Sequence, residues 1–166
     1  MADDYIADYL ALREANEQLR IAGREWLWTT LTGFADAVNQ VTGGVTGGDP
    51  ALVQPLRIGR QEWQFQVEQS TMVGERLGLR YDARTLLFEI GWPRLPEHGS
   101  VPDNGLARGR VSFSQNVMLD PRPITEMILR RDPAGAAPAW HLITHKKLGE
   151  RVTELHLREF LRLIVD

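Results

Sequence analysis

Apolar residues recur along one stripe from the start of the chain: Tyr5, Tyr9, Leu12, Leu19, Leu27, Leu31, Phe34, Val38 and Val41. The period is near 3.6, that of a straight α-helix rather than a coiled coil. A continuous helix over this span is roughly 55 Å long at ~1.5 Å per residue. That exceeds the diameter of a 166-residue domain, so Tyr5, Tyr9 and Leu12 lie too far along it to reach a core centred near Leu27 to Val41. Asp3 or Asp4 is expected to cap the start, and Gly43-Gly44 to stop the helix. Asn16 and Gly23 interrupt the stripe. Gly23 leaves two readings open, one overlong helix or two helices broken there, and the steady period favours one.

Trp26 and Trp28 flank Leu27 and point about 200° apart on a helix. The helix is therefore apolar nearly all round at this level. One indole is expected to face the protein's own sheet. The other is either covered, by the sheet curling about the helix or by the C-terminal helix, or left as an interface, where Trp is enriched.

The segment 44–55 is a Gly-rich linker. It follows a helix and lacks the Lys-Ser/Thr ending of a phosphate-binding loop. From Leu56 the period changes to two. Trp63, Phe65 and Val67 alternate with Gln64, Gln66 and Glu68; Leu77, Leu79 and Tyr81 with Gly78 and Arg80; Leu86, Phe88, Ile90 and Trp92 with Leu87, Glu89 and Gly91; and Val111, Phe113, Val117 and Leu119 form another alternating run, interrupted by Gln115. One-sided alternation predicts an antiparallel sheet with one face buried and one wet. Tyr81-Asp82-Ala83-Arg84 reads as a tight turn. Ile124 to Arg131 fits a helix or a strand. The turn at Asp132-Pro133-Ala134-Gly135 and the run Trp140-Leu142-Thr144 favour a hairpin. Thr153 is placed as an N-cap, with Val152 and Leu157 as a hydrophobic staple, opening a helix that buries Leu157, Phe160, Leu161 and Ile164.

The fold class expected is α+β in one domain: a long N-terminal helix (1–43), the linker, an antiparallel meander of five or six strands (56–145) and a C-terminal helix (152–166) packing on the core.

The chemistry is bounded by what is missing. The chain has no cysteine, which removes disulfides, thiolate catalysis and cysteine metal sites. The acidic N-terminus lacks a signal-peptide layout and no apolar run approaches ~20 residues, so the expectation is a soluble, cytoplasmic protein without membrane contact. His141 and His145 sit in a strand-like setting without an acidic partner, so no metal is expected. Glu97, His98 and Ser100 share the irregular stretch Trp92 to Gly105, but Ser100 lacks nucleophile-elbow glycines. No catalytic residue and no cofactor are assigned, and this stretch, with Trp92 and Arg94, reads as a partner-contacting or simply mobile loop. Arg108, Arg110, Arg130, Arg131, Arg151, Lys146 and Lys147 read as a solvated face. The chain carries 19 basic against 22 acidic residues and no reading motif, so nucleic-acid binding is not expected.

The leading expectation is a non-enzymatic protein-interaction module, self-associating or a subunit of a larger assembly, contacting its partner through Tyr5, Tyr9, Leu12, Trp26, Trp28, Trp92 and Arg94. An alternative is a small-molecule binder or small enzyme whose pocket, between sheet and helix, is lined by Trp63, Phe65, Trp92 and Trp140. A weaker one is an accessory nucleic-acid binder.

Overall fold

The computed structural model describes residues 2–45, 55–135 and 137–166. Helix α1 is a single element, Ala2–Val45, of 44 residues, roughly 65 Å long. Asp3 and Asp4 lie inside its first turn rather than at the cap, where their carboxylates still face the positive end of the helix dipole. The helix runs through Gly43 and Gly44 to Val45. Most of the linker, 46–54, lies outside the described residues.

Gly23 does not break α1, because it is a point of close packing. A Cβ there would meet Leu129 Cδ1 at 2.6 Å, and its carbonyl accepts a hydrogen bond from Trp140 Nε1 at 3.0 Å. The helix crosses the sheet at a distance only glycine permits. The gap in the apolar stripe is the contact itself.

The sheet has seven antiparallel strands in sequence order: β1 Arg57–Val67, β2 Ser70–Tyr81, β3 Arg84–Trp92, β4 Ala107–Ser114, β5 Arg122–Arg131, β6 Pro138–Thr144 and β7 Lys147–Arg151. The expected turn between β2 and β3 is present, with Asp82 at φ 55. His145 and Lys146, at φ 52 and 62, make the twisted two-residue turn that hairpins favour between β6 and β7. Residues 124–131 are strand, pairing with β6 from Glu126 to Arg131.

Two expectations are corrected. The strands number seven rather than five or six, because β7 adds an edge strand. Val117 and Leu119 are not in a strand: β4 ends at Ser114, whose hydroxyl donates to the carbonyls of Asn116 (2.5 Å) and Leu119 (3.1 Å). Both apolar side chains are exposed.

Register sorts the sheet into two faces. Leu77, Phe88 and Val111 stand opposite one another across three strands, as do Leu79, Leu86 and Phe113. With Ile90, Met127, Leu129, Trp92 and Trp140 they form the inner face, against Leu27, Leu31 and Ala35 of α1. Helix α2, Glu154–Val165, closes the same core through Leu157, Leu161 and Ile164, with Val152 buried ahead of it as the staple. The Thr153 N–H donates to His156 Nδ1 at 3.0 Å, so a histidine fills the capping-box position usually held by Glu. Phe160 sits at the margin, half-buried and edge-on to Phe88 at 6.2 Å.

The outer face is not simply wet. Phe65, Val67 and Met72 are buried there as a second cluster, with Val101 packed against it. The Phe65 ring lies over Gly91. Among the described residues, no helix is long and apolar enough to cross a membrane.

Candidate interaction site

Beyond the sheet, α1 continues as an arm. Among the described residues its last ties to the body are the Arg20 Nε donation to the Leu106 carbonyl at 2.7 Å and a hydrogen bond from Arg131 to the Asn16 carboxamide. Every described residue from Ala2 to Ala15 is exposed. Tyr5 is 76%, Tyr9 58% and Leu12 54% exposed, with Ile6 and Leu10 also more than half exposed.

Tyr9 precedes Leu27 by about five full turns of a 3.6-residue helix. The arm's apolar face is therefore the prolongation of the face that buries Leu27 and Leu31 in the core. The pattern that fixes the helix to its own sheet runs on past the sheet's edge. An isolated helical segment of this length is marginal in water, and a contiguous apolar patch of this kind marks an interaction site.

A groove of about 720 Å³ opens where the arm leaves the body, lined by Leu10, Arg13, Glu14, Glu17, Arg20, Trp92, Pro93 and Arg94. Trp92 forms its floor. The guanidinium carbons of Arg20, Arg24 and Arg94 stand 6.0, 5.8 and 5.9 Å from the Trp92 ring centroid, within reach of the indole's negative faces. The groove's carboxylates are engaged by the helix itself. Glu17 pairs with Arg20 at 3.7 Å, and Glu14 accepts from Gln18 Nε2 at 2.9 Å. Burial draws the Arg20 guanidinium below its ordinary pKa, opposed by Glu17. Arg13 and Arg94 have no carboxylate within ion-pair distance among the described residues.

A second charged cluster pins α1 to the sheet edge. Arg60 on β1 holds Glu25 with two hydrogen bonds, 3.1 and 2.6 Å, and Glu75 on β2 with two more, 2.9 and 2.5 Å. The Arg60 hydrogen bonds hold the Glu25 carboxyl below the usual carboxylate range, and the Arg60 pKa is raised in return.

The seven expected contact residues therefore divide. Tyr5, Tyr9 and Leu12 share the projecting arm. Arg94 is exposed at the groove below it. Trp92 is only 2% exposed, so it supports the groove rather than meeting a partner. Trp28 is the inward indole of the pair, packed against the core cluster, and Trp26 the outward one. Leu27 between them takes the core position, fully buried, and the indoles lie on its two flanks. Trp28 is half-buried beneath Arg60, with the guanidinium carbon 4.8 Å from its ring. Trp26 is 38% exposed.

The tryptophan-lined pocket between sheet and helix does not form. Trp63 stands opposite Gly74, which stands opposite Gly91, placing Trp63 and Phe65 on the outer face, while Trp92 and Trp140 are buried on the inner one. On that outer face Glu89 accepts from Trp63 Nε1 at 2.8 Å and from Arg110 Nε at 2.9 Å. The arginines read as one solvated face are largely paired individually. Arg108 is buried against Glu126 at 3.0 Å, Arg110 meets Glu89, and Arg151 meets Asp132 at 3.6 Å.

His141 lies on the outer face of β6, directly across from Ile128, and His145 in the turn that follows. Among the described residues no group of three or more metal-ligating side chains is assembled. Sequence reasoning missed the groove, because it is built by Arg20 reaching Leu106 and by the end of β3, contacts with no local signature. No family model, no curated protein and no solved structure matches this chain.

Proposed function

We propose that the chain is a non-enzymatic protein-interaction module, working as an oligomer or as a subunit of a larger assembly, with the projecting arm of α1 as its contact surface. One observation carries this reading: the apolar face that buries Leu27 continues in phase to Tyr9 and Tyr5, where no other described residue covers it. Charged residues in their place would keep an unaccompanied arm solvated. Tyrosine and leucine there favour burial, at about 25 cal/mol per Å² of apolar surface covered.

The test compares the native chain, purified from its source under gentle conditions, with a Tyr5→Ser/Tyr9→Ser/Leu12→Ser variant. The native chain is expected in a particle larger than one copy. The variant is expected at the mass of a single copy, its body still folded by the near-ultraviolet signal of Trp92 and Trp140. Single-copy mass for both chains would overturn the reading.

A further inference from the structure

The outer face of the sheet, turned away from α1, carries three charges in register across three strands: Arg76 on β2, Glu89 on β3 and Arg110 on β4. Two of them cancel. Both Glu89 oxygens are taken, Oε1 by Arg110 Nε at 2.9 Å, and Oε2 by Arg110 Nη2 at 3.2 Å and the Trp63 indole at 2.8 Å. The remaining nitrogen of Arg110, Nη1, donates to the Gln66 carbonyl at 3.2 Å. Arg76 is left over. Its guanidinium lies over the Trp63 ring, 3.9 Å from the centroid, and among the described residues it has no carboxylate within ion-pair distance and no hydrogen-bond acceptor.

An open cavity of about 290 Å³ lies over this row. Ser112 lines it from β4. The residue is only 4% exposed, yet its hydroxyl has no hydrogen-bond partner among the described residues, an arrangement that calls for an explanation. The register of β4 with β5 slips between Val111 and Ser112 and sets Ser112 against Pro123. Such bulges re-aim side chains. Pro121, Pro123 and Leu87 give the cavity an apolar wall.

We infer that this cavity binds a small organic monocarboxylate, its carboxylate on the Arg76 guanidinium, its apolar body against Leu87, Pro121 and Pro123, and the Ser112 hydroxyl as a second hydrogen-bond partner. The lining selects this class. Its one carboxylate is already saturated, so a cation finds no free acceptor of opposite charge. Arg76 is the one uncancelled charge, which a monoanion neutralises and a phosphate dianion would exceed. A guanidinium suits a planar carboxylate, which it can hold through two parallel hydrogen bonds. The site is independent of the arm, being on the opposite face of the sheet from α1.

Nuclear magnetic resonance on the full-length, nitrogen-15-labelled chain tests this through the Trp63 indole N–H, assigned by its absence in Trp63→Phe. Benzoate, phenylacetate and hexanoate are the probes. At least one is expected to shift this signal saturably, with a Kd of about 1 mM or tighter, as befits so small a ligand. Benzamide, the same size as benzoate but uncharged, and inorganic phosphate, which has no apolar body, are each expected to bind at least about tenfold more weakly. Arg76→Gln should weaken the carboxylate by about tenfold or more, as loss of a charge-assisted pair does. Ser112→Ala should weaken it severalfold. The core signals of Trp92 and Trp140 report that each variant is folded. No saturable shift with any of the three acids would overturn the proposal. So would equal binding of benzamide or phosphate, or undiminished affinity in both Arg76→Gln and Ser112→Ala.

Discussion

The indole Nε1 of Trp140 donates to the main-chain carbonyl of Gly23 at 3.0 Å, a buried hydrogen bond joining residues 117 positions apart. It is possible because the helix has no side chain at that point, and Leu129 fills the space a Cβ would need.

Gly23→Ala is therefore expected to destabilise the protein by ~1–2 kcal/mol. Alanine gains about 1 kcal/mol in helix propensity, but overpacking a tight core costs typically ~1–3 kcal/mol and displaces the helix from Trp140. In a Leu129→Ala background the clash is gone, and the same change should become neutral or stabilising. Urea denaturation of the four chains checks this. An equal effect of Gly23→Ala in both backgrounds would show that the close approach does not limit the site.

Glu25→Gln is expected to cost less than about 1 kcal/mol at neutral pH, because the carboxylate is partly exposed and solvent screens its pairing with Arg60. The sign with pH follows from its lowered pKa. The stabilisation is present above the unfolded carboxylate pKa, about 4.3, and is lost as pH falls through the lower folded value. The gap between wild type and variant should hold from neutral pH to about 5 and close below that. A gap that persists unchanged into strong acid would mean that packing, not charge, is what the substitution removes.

Trp28→Ala should cost ~1–3 kcal/mol, combining lost packing against the core with the loss of the Arg60 guanidinium stacked on it. Trp26→Ala, on the more exposed flank, should cost under about 1 kcal/mol. Denaturant midpoints of the two variants compare them directly. The reverse ranking would mean that Trp26, not Trp28, is the anchored side of the helix.

The sequence revealed most where interactions are local. Val152, Thr153 and Leu157 mark the start of α2 within one turn, and alternation exposes β2 and β3 because each buries one whole face. Strand β7 leaves no such trace: from Lys147 to Arg151 no residue is buried, and a period of two is invisible when no face is hidden. The face of Trp63 was equally illegible, since alternation says which residues share a side but not which side the helix covers. Only the Trp63–Gly74–Gly91 register decides that. The arm was readable from length alone, as a helix too long for its domain. The groove was not, because Arg94 and Arg13 come together only once β3 and α1 are packed.

Hydrogen exchange at the arm's amides tests most directly whether the arm is a contact surface. An uncovered helix of about four turns frays and exchanges orders of magnitude faster than the α1 turns around Leu27 and Leu31. In the associated form of the native chain, amides from Tyr5 to Ala15 should be protected to within about tenfold of those core turns, and that protection should disappear in the Tyr5→Ser/Tyr9→Ser/Leu12→Ser variant. Rapid exchange of these amides in the native particle, unchanged by the variant, would show that the arm stays bare and that association, if any, uses another surface.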